Sequence, residues 1–245
     1  MTEALTTFVE DIPLLTLEAA GSSEIVIHVP AFGQKKEDTI PVLRHFVTMG
    51  FTSIAIDAYQ HGARGTEDRA TISRRVFANF RREMWPIIGE TTIDVMKVAK
   101  WARHQFGPVP LHLTGLSMGG DIVVAAAPFV EDLASVNAIV ATPDWRRHGM
   151  RDIERGIEID QGESDRRARF FFDSLNPIDH VERYGNTPIR FVIGEKDTHV
   201  PPEAAYRFAK RINGSTQSST ISVIEKVGLS HMDFVQPIWL NDLTF

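Results

Sequence analysis

The sequence predicts an α/β fold: a mostly parallel central sheet with helices on both faces, formed by one domain over residues 1–245. Three observations carry this. Runs rich in β-branched residues recur along the chain, segments of helical period separate them, and the runs are continuously apolar, as in strands covered on both faces. The length of 245 residues suits one large unit of this class better than two ordinary domains. Hydrophobic residues at 43% and charged residues at 24% allow a substantial core.

A weak strand is expected at Leu14–Glu18, turned by Gly21-Ser22-Ser23, and a strong one at Glu24–Val29, ended by Pro30. A helix over Ile40–Met49, stopped by Gly50, leads to a strand at Ser53–Asp57, a parallel crossover. Residues 70–85 place Ile72, Val76, Phe77, Phe80 and Met84 on one helical face, and Pro86 is read as opening another helix that reaches Trp101 and Ala102. Strands follow at Leu111–Thr114, Val136–Ala141, Ile189–Ile193 and Thr220–Ile224, with helices over Met118–Phe129 and Glu203–Ile212. The stretch 145–185 breaks this rhythm. It reads either as a helical lid over the ends of the strands or as surface helices whose Phe170-Phe171-Phe172 packs down.

Gly115-Leu116-Ser117-Met118-Gly119 forms G-x-S-x-G between a strand and an Ala-rich helix. A nucleophile in such a place sits on a turn tight enough to lift its hydroxyl above the sheet, and side chains two residues to either side would collide. The following helix directs its first N–H groups at the point where negative charge develops. The motif alone arises by chance in roughly one chain in ten of this length; its setting is what gives it weight. An acid and a histidine must then follow in that order. Asp197, just past the Ile189–Ile193 strand, is the candidate acid, with Glu195 and Asp144 as alternatives and helix capping as the competing role for Asp197. His231, on the loop after the last strand, is the candidate base, and His199 its competitor. Two backbone N–H groups, of Met118 and Phe32, are the candidate oxyanion donors.

With elbow, acid and histidine in order, the chain resembles the α/β-hydrolase superfamily. It is more closely similar to the branch of dienelactone hydrolases and prolyl-oligopeptidase-like enzymes that includes small bacterial carboxylesterases. Pro30-Ala31-Phe32-Gly33-Gln34-Lys35-Lys36-Glu37 matches the later part of that branch's oxyanion loop, with Pro30-Ala31 in place of the usual His-Gly. Asp57-Ala58-Tyr59-Gln60-His61-Gly62-Ala63-Arg64 is similar to its Asp-x-x-x-His-Gly-x-Arg turn. The resemblance implies an α/β-hydrolase fold and hydrolysis of a carboxylic ester or related acyl bond of a small molecule through an acyl-enzyme, with no metal and no cofactor. A thioesterase, a peptidase, a carbon–carbon hydrolase and a non-catalytic binding protein share the same frame.

A net charge of −6 with dispersed basic residues argues against nucleic acid as a partner. Arg69, Arg74, Arg75, Arg81 and Arg82 on one predicted helix read as a solvated face or as an attractor for an anionic substrate. The absence of cysteine excludes disulfides and a thiol nucleophile. No run approaches the roughly 20 apolar residues of a membrane span, and the start lacks the pattern of a secretory signal. A cytoplasmic location without membrane contact is the expectation, and monomer and homodimer both stay open.

Overall fold

In the computed structural model, which describes residues 3–185, 187–214 and 220–245, eight strands form one sheet in the order β1-β2-β4-β3-β5-β6-β7-β8. They are β1 (Leu5–Val9), β2 (Ile12–Leu17), β3 (Ile25–Val29), β4 (Thr52–Ile56), β5 (Leu111–Leu116), β6 (Leu133–Ile139), β7 (Ile189–Gly194) and β8 (Ile221–Lys226). From β4 through β3 to β8 all neighbours run parallel, while β1 and β2 add an antiparallel hairpin at one edge. The mostly parallel sheet is therefore as expected. β1 has no sequence signal of its own because its residues are largely exposed and form no apolar run.

Alternation along the inner strands divides the core into two layers. Ile25 and Ile27 of β3, with Ile54 and Ile56 of β4, face one layer; Val26 and Ala55 face the other. The first layer is covered by α3 (Phe80–Phe106), α4 (Met118–Ala126) and α6 (Glu203–Asn213). The second is covered by α1 (Ile40–Thr48) and by the final segment, with Leu240, Leu243 and Phe245 packed against Leu43 and Phe46.

The helix expected over 70–85 breaks in two. α2 spans Arg69–Ala78, Asn79 leaves helical geometry at φ −153°, and α3 begins at Phe80. Pro86 lies inside α3 instead of opening a helix. An interior proline costs on the order of 3 kcal/mol, and burial of Trp85, Ile87 and Ile88 around it outweighs that penalty. At 27 residues, α3 runs about 40 Å along the sheet.

The stretch 145–185 divides as well. Its helix α5 (Arg166–Leu175) lies on α3, where Phe172 stacks on Trp85 with ring centroids 4.2 Å apart and Phe171 presses on Gly89. The earlier part folds into a small hairpin closed by a bridge between Arg151 and Glu158. Among the described residues no helix is long and apolar enough to cross a membrane.

Candidate active site

Ser117 follows β5 directly, with φ +53° and ψ −117°, a conformation rare for any residue but glycine. Its neighbours explain how the strain is held. A Cβ on Gly115 would come within 2.2 Å of the Gly119 backbone, and one on Gly119 within 2.0 Å of the Val29 carbonyl oxygen. The Ser117 N–H donates to the Ile139 carbonyl at 2.7 Å, pinning the bend to the end of β6. Val140, the next residue, also has a positive φ of 41°, so strain is shared between adjacent strand ends.

The carboxyl ends of three strands bring the predicted side chains into one row. Ser117 Oγ lies 3.0 Å from His231 Nε2, and His231 Nδ1 lies 2.7 Å from Asp197 Oδ2. Asp197 is buried, and its other oxygen accepts from the N–H groups of His199 (3.0 Å) and Val200 (2.7 Å). That single carboxylate thus shapes its own turn and reaches the imidazole. It does not cap α6, whose N-cap is Pro202.

The other carboxylates have separate duties. Glu195 accepts from the Gly228 N–H at 2.7 Å, and the Lys196 N–H donates to the Leu229 carbonyl at 2.8 Å, so the loops carrying Asp197 and His231 are laced together. Asp233 closes the turn around His231 by accepting from the Ser230 N–H and hydroxyl, both at 2.7 Å. Asp144 is held by Arg146 (2.6 Å) and Arg207 (2.8 Å).

Met118 is the first residue of α4, where N–H groups have no partner within the helix. On the loop after β3, Pro30 has no N–H and that of Ala31 donates to Gln34 Oε1 at 3.0 Å. Phe32 therefore offers the next available amide. Its ring meets His61 and Phe77 edge-on at 5.1 and 5.7 Å. The loop is anchored by Asp57, a fully buried carboxylate that accepts from the Lys36 N–H (2.8 Å), Lys36 Nζ (2.9 Å) and the Ala63 N–H (2.9 Å). Gly62 has φ +53°, and a Cβ there would strike the Asp57 carboxylate at 2.2 Å. Arg64 pairs with Asp94 and sits 5.7 Å over the Tyr59 ring. The Asp57–Arg64 turn thus supports the neighbouring loop from below.

A cavity of about 650 Å³ opens onto Ser117 and His231. Phe32, Met84, Leu116, Val140 and Phe234 give it an apolar wall, and Ile153 and Ile159 of the 145–185 stretch complete it. Arg69 and Arg74 of α2 border it, whereas Arg75 is engaged by Glu67 and Glu83. Arg82 lies near Glu83 and Asp165, and Arg81 reaches the Gly162 carbonyl at 3.4 Å. Arg147 lies in the cavity wall and pairs at 2.5 Å with the buried Asp121 of α4. His199 is there too, its ring 5.0 Å from that of His231. Arg147 could not be read from the sequence, since it and Asp121 are 26 positions apart with no motif joining them; His199, the competing candidate base, stands beside the row of Ser117, His231 and Asp197 and outside it. Among the described residues no three His, Asp or Glu side chains are grouped to hold a metal ion.

The chain is similar throughout to several solved structures. TT1662 from Thermus thermophilus is 18% identical, with 99% of this chain and 94% of that one covered and a TM-score of 0.78. The esterase Pf2001 of Pyrococcus furiosus is 16% identical, with 99% and 90% covered and a TM-score of 0.69. A puromycin-hydrolyzing peptidase of Mycobacterium tuberculosis is 15% identical, with 94% of this chain and 36% of that one covered and a TM-score of 0.69. No curated protein sequence matches. The model of the dienelactone hydrolase family matches residues 15–231, a span from the second strand to the histidine facing Ser117. The chain belongs to the dienelactone hydrolase family of the α/β-hydrolase superfamily, and its general activity is hydrolysis.

Proposed function

We propose that the protein is a serine hydrolase that cleaves a carboxylic ester of a small molecule through an acyl-enzyme. The observation that carries this reading is the unbroken hydrogen-bonded row from Ser117 through His231 to Asp197, open to an apolar cavity. Ser117 Oγ attacks the acyl carbon while His231 Nε2 takes its proton. Asp197 accepts the Nδ1–H, fixes the tautomer and stabilises the imidazolium that forms. The N–H groups of Phe32 and Met118 bind the oxyanion of the tetrahedral intermediate. The intermediate collapses, the C–O bond to the alcohol breaks, and His231 returns its proton to the departing oxygen. Water then attacks the acyl-enzyme with His231 again as base, releasing the acid and restoring Ser117.

The strained bend and the buried acid suit this chemistry, since both hold groups in place before substrate arrives. The hairpin at 151–158 acts as a cap over the cavity, while α5 remains part of the scaffold. Fluorophosphonate labelling of intact protein, with a panel of p-nitrophenyl esters, thioesters and peptide amides compared by kcat/KM, tests the reading. Esters are expected to lead the panel, and Ser117→Ala is expected to lose labelling and at least about 10⁴-fold in hydrolysis. Labelling that persists in Ser117→Ala, or none in the wild-type protein, contradicts it.

A further inference from the structure

The reaction above leaves several polar groups of the cavity unused, and His199 stands nearest to its base. His199 is buried, its ring lies 5.0 Å from His231 and 5.6 Å from Phe77, and it borders the cavity. Its Nδ1 is 2.9 Å from the Arg151 carbonyl oxygen. A carbonyl only accepts, so Nδ1 carries the proton. Burial pushes this imidazole down to about 4, and the charges of His231 and Arg147 act in the same direction, so the ring is neutral near neutral pH. A neutral ring protonated on Nδ1 leaves Nε2 as a bare acceptor. Among the described residues no donor reaches that nitrogen. An acceptor without a partner in a largely apolar wall is a place for a ligand's donor.

Its position says which part of the ligand. In acyl transfer the imidazole that removes the nucleophile's proton also protonates the leaving group, so the leaving alcohol lies on the imidazole side of the acyl carbon. The oxyanion lies on the other side, toward Phe32 and Met118. His199 packs against His231 and so adjoins the alcohol.

We propose that His199 is a specificity residue that accepts a hydrogen bond from a second hydroxyl on the leaving alcohol, making monoesters of diols and polyols the preferred substrates. This rests on the serine-esterase reading. The Nδ1–H bond to Arg151 presents Nε2 at a fixed angle, and the cap that supplies Arg151 thereby orients the group that reads the alcohol. Ground-state and transition-state binding of that hydroxyl both raise kcat/KM relative to an alkyl ester of the same size.

The test compares 2-hydroxyethyl butyrate with propyl butyrate, which have equal numbers of heavy atoms. Wild-type protein is expected to favour the hydroxy ester by about tenfold in kcat/KM, the worth of one well-placed hydrogen bond. His199→Phe keeps the bulk of the ring and removes the acceptor; the ratio is expected to fall to about one. His199→Asn is the second variant, since its amide N–H can still donate to the Arg151 carbonyl while nothing replaces Nε2; the same collapse is expected. A wild-type ratio near one overturns the inference, as does a tenfold ratio that survives in both variants. Failure of wild-type protein to hydrolyse either ester or p-nitrophenyl acetate overturns the esterase reading itself, a different result from equal rates on the two butyrates.

Discussion

The bend at 115–120 and the hairpin at 151–158 border the same cavity and are built in opposite ways. Every residue of the bend is buried, and its glycines abut backbone on two sides. All but one residue of the hairpin is exposed, including Ile153 and Ile157. The hairpin is held by bonds within itself, such as Asp152 N–H to the Ile157 carbonyl at 2.8 Å and Arg155 N–H to the Asp152 carboxylate at 2.8 Å, and by Arg151 N–H to the Thr198 carbonyl at 2.8 Å. Where backbone meets backbone at van der Waals limits, side-chain identity is dictated. Where a segment covers a cavity from the solvent side, many sequences would serve. In the proposed reading chemistry falls on the constrained side, and the permissive side closes the cavity over the substrate.

This contrast can be broken by perturbing each side in turn. Asp197→Asn leaves the shape of the site intact but offers His231 the wrong partner, and kcat is expected to fall about 10⁴-fold. Steady-state rates on a p-nitrophenyl ester measure this, and a loss under tenfold would shift the orienting role to another carboxylate. Gly119→Ala forces a methyl group into the Val29 carbonyl, and the expected cost is about 3 kcal/mol or more of stability, read as a lowered urea midpoint.

Acid sharpens the comparison through His28, which sits in β3 beside the bend. Burial lowers this imidazole to about 3 in the folded protein, and its Nδ1 lies 2.8 Å from Thr114 Oγ1. The unfolded chain binds the proton near pH 6.5, so between about pH 6.5 and pH 3 the unfolded state holds more protons. Stability from this site is complete above about pH 6.5 and drains away as pH falls toward 3, by an amount on the order of a few kcal/mol. Denaturant midpoints across this range are expected to fall less steeply in His28→Gln than in the wild type. The smallest effect belongs to the hairpin. Ile153→Ala is expected to change kcat/KM for a butyrate ester by less than about tenfold, mostly through KM, with stability altered by under about 0.5 kcal/mol.

Legibility in the sequence follows the same division. The inner strands announce themselves because burial on both faces demands continuous apolar runs, as at Ile25–Val29 and Leu111–Leu116. The row of Ser117, Asp197 and His231 could be anticipated because chain order and strand ends restrict where such groups stand. Edge strand β1 could not, because an exposed strand need not be apolar. The break at Asn79 and the passage of α3 through Pro86 differ from the expected helices, since local propensity favours a start at the proline and tertiary packing overrules it. The Arg147–Asp121 pair and the Nε2 of His199 arise from contacts distant along the chain, which no local pattern encodes.

The carboxylate of Asp57 ties residue 36 to residue 63, and each of those positions belongs to a different loop. The two loops are thereby one mechanical part, riveted at this carboxylate. Lengthening either by a residue would pull on the other, so grafting a foreign loop after β3 calls for transplanting its partner after β4 as well. An engineer seeking new selectivity has freer ground at 151–158, where the wall can be redrawn without disturbing that joint.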